Sequence, residues 1–329
     1  MKQNAYIRGF GFYVPEKVLT NADLEKFVDT TDEWITTRTG IKERHVAAPG
    51  EATSDLACAA SKAALADAGM TADDLTHILL YTLTPDFYCP PAACLLEEKL
   101  GIRGKFAQDI NAACSGFVFG LETARAIIAL HPEAKVLLCA AEVLTSRTNW
   151  ADRRTCVLFG DGAGAVVITG EPGPGSVAIV DARIYSDGSL GQLLTVKGGG
   201  SGYPMKLGDV VDENFFVQMA GQEVFKHAVR NMTAVCEEVL AASGVTAEEI
   251  DFLIPHQANL RIIDAVAKKL SIPTERCVIT IDRYGNSSAS SVGIALAEAK
   301  GAGRIKPGDK VLLAVFGGGF TWGASLLQF

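Results

Sequence analysis

The chain has 329 residues, enough for two domains or one large duplicated one, and 48% of them are hydrophobic, enough for sizeable buried sheets. A net charge of −8 argues against general nucleic-acid binding, and no apolar run of about 18 residues stands out as a membrane span. The eight cysteines form no C-x-x-C pair and lie mostly in apolar runs, so neither a zinc site nor a disulfide framework is expected, and a reducing cytoplasm fits.

Met1 to Tyr6 runs straight into a strand-like segment at residues 5–12, with no signal-peptide h-region. Asn21-Ala22-Asp23-Leu24-Glu25 reads as a capped helix start. Asp32 to Gly40 is polar around one large aromatic, Trp34. Thr53 to Ala68 is alanine-rich and helical, stopping at Gly69, and Thr76 to Thr82 is a short apolar strand. Lys105 to Ile110 is again strand-like. It leads through Asn111-Ala112-Ala113-Cys114-Ser115-Gly116 into a helix whose Phe117, Leu121, Ala124, Ile127 and Ile128 recur three or four apart. Cys114 therefore sits at a strand-to-helix turn, where unpaired N–H groups and the helix dipole favour a thiolate. Taken alone, a cysteine in this composition is more often a buried structural residue.

The second half repeats the plan of the first. Leu65 to Leu75 aligns with Leu240 to Ile250, and Lys135-Val136-Leu137-Leu138 with Lys310-Val311-Leu312-Leu313, both at an offset of 175 residues. The reading is two similar α/β halves, 1–172 and 173–329, joined at Glu171-Pro172-Gly173-Pro174-Gly175. Each should carry a mixed sheet covered by helices, with a site at their interface drawing on equivalent turns.

The repeat sets His256 opposite Tyr81, at the C-terminal end of the apolar run Phe252 to Pro255, where α/β sites lie. It sets Asn286, in Tyr284-Gly285-Asn286-Ser287-Ser288, opposite the Cys114 turn. The plainer alternatives are a core histidine and an ordinary Gly-Asn turn. Phe316-Gly317-Gly318-Gly319-Phe320 follows a strong strand, Val311 to Val315, and could be a packing hinge or a source of backbone N–H groups for an oxyanion. Cysteine, histidine and asparagine in that order also occur in papain-like proteases, but the Trp or Tyr that follows the cysteine there is missing.

The other reading is a condensing enzyme. The chain resembles the β-ketoacyl-acyl-carrier-protein synthase III family, initiators of type II fatty-acid synthesis, over essentially its whole length. The resemblance is carried by Asp32-Glu33-Trp34-Ile35 with Arg38-Thr39-Gly40, by Ala113-Cys114-Ser115-Gly116 and by Phe159-Gly160-Asp161-Gly162-Ala163-Gly164-Ala165. It continues in Pro255 to Arg261, in Gly285 to Ser290 and in Gly317 to Gly323. The glycines at 160–164 are expected to form a turn and do not match a dinucleotide fingerprint.

The resemblance implies a thiolase-like fold, two duplicated mixed-sheet α/β halves in αβαβα layers. It implies that the Cys114 thiolate takes an acyl group from acyl-CoA, with the N–H groups of Cys114 and Gly318 as oxyanion hole. His256 and Asn286 would then hold the thioester of malonyl-carrier protein through decarboxylation, without metal or redox cofactor. Trp34 and Arg153 would sandwich the CoA adenine, with Thr30 and Arg38 nearby, and Gly221, Phe225 and Asn259 would line the pantetheine tunnel. A homodimer follows, with Cys89 at the place of a bulkier residue that closes the acyl pocket across the dimer. Lys226, Arg261, Lys268 and Lys269 cluster on two helices flanking His256 and would dock the acidic acyl carrier protein. Related alternatives are condensing enzymes of secondary-metabolite or biotin-precursor synthesis; a non-catalytic carrier-binding paralogue would not need to retain all three of Cys114, His256 and Asn286.

Overall fold

A computed structural model describes residues 5–329; the expectation for the N-terminus falls partly on Met1–Asn4, outside the described residues. Among the described residues, nine strands form the main sheet. They are β1 (Tyr6–Tyr13), β2 (His77–Tyr81), β3 (Phe106–Ile110), β4 (Lys135–Glu142), β5 (Gly162–Thr169), β6 (Val177–Ser186), β7 (Phe252–Pro255), β8 (Lys310–Gly317) and β9 (Thr321–Gln328). Their order is β7-β8-β9-β6-β1-β5-β4-β2-β3. Read outward from the centre, β1-β5-β4-β2 and β6-β9-β8-β7 follow one scheme: two antiparallel pairings, then a parallel one. The two mixed sheets expected from the repeat run on into each other, among the described residues through Tyr6↔Ala178, Ile7↔Val177 and a bond from Ile179 N–H to Ala5 O at 2.9 Å.

Each half is covered on the outside by a helix of matching design. Thr53–Ala68 packs on β1, β5 and β4 and stops at Gly69, whose φ of 63° only glycine adopts readily. Gly221–Ser243 packs on β9, β8 and β6 and stops at Gly244 with φ 65°. Two further helices, Gly116–Leu130 and Ser290–Gly301, lie between the half-sheets and touch each other, completing five αβαβα layers. Helix Ser290–Gly301 also sits close on β5, with a sequence cause. A Cβ on Gly164 would stand 2.6 Å from the backbone of Gly293. This corrects the reading of the 160–164 glycines as a turn: Gly162 and Gly164 open strand β5, and Gly164 admits a helix.

One other expectation gains detail and one shifts. The one-turn helix Asn21–Leu24 is capped by Thr20, whose hydroxyl accepts from Asp23 N–H; Asn21 is buried and accepts from the Arg44 guanidinium at 2.9 Å. The stretch Ala113–Leu130 is, by length and composition, apolar enough to cross a membrane. Its Phe117, Val118, Leu121, Ala124 and Ile128 are instead buried in the core. Each of its large apolar side chains contributes roughly 1.5–3 kcal/mol there.

Candidate active site

Strand β3 delivers the chain to the Cys114 turn. Asn111 Oδ1 accepts from Ala113 N–H at 3.0 Å, and Ala113 takes a φ of 46°. At the offset of 175 residues, Ser288 takes a φ of 53°. A side-chain-bearing residue in the left-handed region costs on the order of 1–3 kcal/mol and persists only where its surroundings hold it. Here they do: Thr321 Oγ1 donates to Ala112 O at 2.9 Å, and Ser115 Oγ to Thr321 O at 3.0 Å. Gly317 closes the arrangement, since a Cβ on it would lie 2.6 Å from Cys114 N. Gly318 stands one residue beyond the last ladder pair, Gly317↔Thr321, so the sheet does not claim its N–H. Cys114 lies in the first turn of a helical segment, where amides lack intrahelical partners.

His256 and Asn286 come to the same place from the other half. His256 follows β7, its N–H held by Ala314 O at 2.8 Å, and its Nδ1 lies 2.7 Å from Ser291 Oγ. Ser291 Oγ also accepts from Gln257 N–H at 3.3 Å, and we assign its own proton to Nδ1. The remaining proton of the neutral ring is then on Nε2. Asn286 is pinned by two backbone bonds, Asn286 N–H to Leu158 O and Gly160 N–H to Asn286 O. Its Oδ1 accepts from Ser288 N–H at 2.9 Å, which makes Nδ2 the free donor. Cys114, His256, Asn286, Ser288 and Gly318 all line one cavity of about 710 Å³, whose other walls include Leu144, Val224, Met232, Ile262 and Phe316.

Burial dominates the protonation states. It pushes the Cys114 thiol up to about 12, against a lowering by the Ser288 hydroxyl, which donates to Sγ at 3.3 Å. It pushes the His256 imidazole down to about 4. The expected standing thiolate is therefore corrected: the resting pair is a neutral thiol and a neutral imidazole. The helix N-terminus acts on the charge when it develops.

Two neighbours were not singled out from sequence. Arg147 lines the cavity, its guanidinium 4.1 Å over the Phe215 ring and its Nη1 buried without a partner. Glu142 ends β4, is fully buried, and accepts through Oε2 from Thr82 Oγ1 (3.1 Å), Leu83 N–H (3.1 Å) and Thr84 Oγ1 (2.8 Å). Its Oε1 has no partner, and burial pushes the carboxyl up to about 7. The available signal was a carboxylate closing a wholly apolar strand run, Val136 to Ala141.

The other expected site residues lie outside the cavity lining. Both Arg38 and Arg153 stack on Trp34, at 4.6 and 5.0 Å from the ring centroid, and Arg153 also donates to Asp29 O at 2.8 Å. Thr30 Oγ1 is buried without a partner. Asn259 caps helix Leu260–Lys269 and donates to Arg38 O at 3.1 Å. Gly221 begins the helix on which Phe225 and Lys226 form a shallow groove with Lys269; Lys226 pairs with Glu223 at 2.7 Å. Arg261 donates to Thr37 O, and Lys268 ends its helix beside Lys269. Cys89 is exposed, and Phe87 and Tyr88, not Cys89, line the cavity of their own chain. No cluster of three or more metal-ligating side chains occurs among the described residues.

A duplicated αβαβα fold whose central helices present a cysteine turn to a histidine and an asparagine defines a thiolase-like condensing enzyme. Models of the 3-oxoacyl-[acyl-carrier-protein (ACP)] synthase III family match residues 108–188 and, for its C-terminal part, residues 240–329. The β-ketoacyl-[acyl-carrier-protein] synthase III of Oleidesulfovibrio alaskensis is 58% identical over 100% of both chains, and that of Nitratidesulfovibrio vulgaris 56%, also over 100% of both. The crystal structure of 3-oxoacyl-[acyl-carrier-protein] synthase III from Aquifex aeolicus superposes with a TM-score of 0.90 at 48% identity, covering 99% of this chain and 100% of that one. The chain belongs to the β-ketoacyl-acyl-carrier-protein synthase III family. It is an acyl-transferring enzyme of the initiating condensation in fatty-acid synthesis.

Proposed function

We propose that the enzyme loads an acyl group from acyl-CoA onto Cys114 and condenses it with malonyl-acyl-carrier protein, giving a 3-oxoacyl-carrier protein and CO₂. The carrying observation is that Cys114, His256, Asn286 and Gly318 line a single, largely apolar cavity. In the first half-reaction Cys114 Sγ attacks the thioester, and the N–H groups of Cys114 and Gly318 take the oxyanion. In the second, Nε2–H of His256 and Nδ2–H of Asn286 donate to the malonyl thioester carbonyl. They stabilise the enolate left by CO₂, which attacks the acyl-Cys114 carbon. A buried site makes each such donor worth roughly 3–4 kcal/mol in the transition state. Loss of CO₂ drives the step, so no metal or redox cofactor is required.

The pairing of Trp34 with two guanidiniums supports an adenine site there, with Arg153 swinging off the ring to admit the base, Thr30 beside it, and Gly221, Phe225 and Asn259 along the pantetheine path. Lys226, Arg261, Lys268 and Lys269 are the docking surface for acyl carrier protein. The halves 1–172 and 173–329 form one unit with the site between them, working in the cytoplasm as a homodimer. Exposed Phe87, Tyr88 and Phe106, the last on edge strand β3, support that dimer, as does Cys89, which would meet the partner copy's pocket.

Mass spectrometry of the enzyme with acyl-CoA, with and without malonyl-carrier protein, tests the assignment. Cys114→Ala should take up no acyl group. His256→Ala and Asn286→Ala should still be acylated but fail to release CO₂ from the malonyl thioester. Acylation at another cysteine, or loss of acylation with intact decarboxylation in the latter two, overturns it.

A further inference from the structure

A neutral thiol lining the cavity must lose its proton to become a nucleophile, and the tautomer assigned to His256 leaves its ring no free acceptor. With the Ser291 hydroxyl donating to Nδ1, the ring proton stays on Nε2. The group in contact with Cys114 Sγ is the Ser288 hydroxyl, 3.3 Å away and 174 residues along the chain. The Ser288 hydroxyl also lies within interaction range of Glu142, which is wholly buried, with Oε2 held by Thr82, Leu83 and Thr84, and Oε1 unpartnered while the hydroxyl is turned to sulfur.

We propose that Ser288 and Glu142 form a proton relay for Cys114, with Glu142 holding the thiol proton between the two half-reactions. This rests on Cys114 as the acylated residue. In acylation, the S–H proton passes to Ser288 Oγ as the Ser288 proton passes to Glu142 Oε1; Sγ bonds to the acyl carbon, and the C–S bond to CoA breaks. CoA leaves as its thiolate and takes a proton from solvent. In condensation, the new C–C bond forms and the bond from the acyl carbon to Sγ breaks, leaving Cys114 as thiolate. Glu142 returns its proton through Ser288. One proton is consumed per turnover, as loss of CO₂ from a carboxylate requires.

Two further observations agree. The Glu142 carboxyl is pushed up to about 7 by burial, and the Ser288 hydroxyl pulls it down as a hydrogen-bond partner, so it can exchange a proton near neutrality. Its negative charge also raises the Cys114 thiol, so the site resists holding both charges together. The relay moves one charge from carboxylate to sulfur and never creates a second. The groups that face Glu142 are the hydroxyls of Thr82 and Thr84, the Leu83 amide, Ser288 and, beyond it, Cys114; none is a cation. Ser288 touches the reacting sulfur and is catalytic; Glu142 acts through it and is a positioning residue.

The alternative is that Glu142 only tethers the 82–84 segment, which Gln would do nearly as well. The test is the rate of Cys114 modification in the whole enzyme from about pH 5.5 to 8.5, followed by peptide mass. It uses acetyl-CoA and octanoyl-CoA in single turnover and, separately, iodoacetamide. In the wild type both rates should rise through about pH 7 and level off. Glu142→Gln should lose that rise and acylate about 10²-fold more slowly. Ser288→Ala should behave alike without touching the carboxylate, and the double variant should be no slower than the slower single. A folded Glu142→Gln with the wild-type rate and profile, or fully additive losses in the double variant, overturns the relay. If the wild type takes no acyl group from either thioester, the acyl-transfer reading of Cys114 falls. The iodoacetamide profile then still decides the relay by itself.

Discussion

Burial disfavours the charged forms of both Glu142 and His256, and their effects on stability run in opposite directions with pH. Glu142 rises from 4.5 to about 7, so the folded protein holds its proton more tightly than the unfolded chain does. That contribution is fully present below pH 4.5 and is lost as pH rises through about 7. His256 falls from 6.5 to about 4; its contribution is fully present above pH 6.5 and is lost as pH falls through about 4. Each displacement corresponds to about 3 kcal/mol at 1.36 kcal/mol per pH unit. Between pH 4.5 and 6.5 the two slopes oppose each other and nearly cancel. Removing one group should expose the other. Urea unfolding of Glu142→Gln and the wild type, compared at steps from about pH 4.5 to 7.5, should show the variant gaining about 3 kcal/mol relative to wild type as pH rises. His256→Gln should gain a similar amount as pH falls from about 7 to 4. Comparing differences at each pH removes the contribution of the surface groups. Parallel stability curves for Glu142→Gln and the wild type would refute the burial argument, because a carboxyl with an ordinary pKa leaves no such tilt.

Octanoyl-CoA should prime better than acetyl-CoA: six more methylenes at about 0.8 kcal/mol each give up to about 5 kcal/mol, and the cavity of about 710 Å³ offers apolar wall to meet them. A tenfold acetyl preference in kcat/KM would contradict this, and Cys89→Phe should restore short-chain preference if it closes the partner's pocket. Reversing charge at Lys268 and Lys269 should lower kcat/KM for malonyl-carrier protein, more at low salt, and spare priming by acyl-CoA; equal losses with both substrates would remove the docking assignment. Gly164→Ala should destabilise the enzyme by about 1–3 kcal/mol in thermal or urea unfolding, since the new methyl meets the Gly293 backbone. An unchanged melt would mean that the central helices are less tightly seated.

Local chemistry was legible in the chain itself. Thr53–Ala68 reads with its observed ends because alanine favours helix and Gly69 supplies the left-handed cap. The Cys114 turn is visible because periodicity changes there from strand to helix, and the repeat is visible because each half needs the same strands and helices. Tertiary structure decided what depends on distant neighbours. Two residue pairs between β1 and β6 make one sheet of two, and the glycines at 162 and 164 become a strand because they pair with β4 and, at Gly164, with β1, where Gly293 also passes close by. The charge state of Cys114 was misread from its helix position, because desolvation by the surrounding core outweighs the helix N-terminus. Glu142 carries only the local mark of a carboxylate closing an apolar strand run, which does not by itself name a function. Its burial and its nearness to Ser288, which reaches Cys114 across 174 residues of chain, exist only once the two halves close on each other.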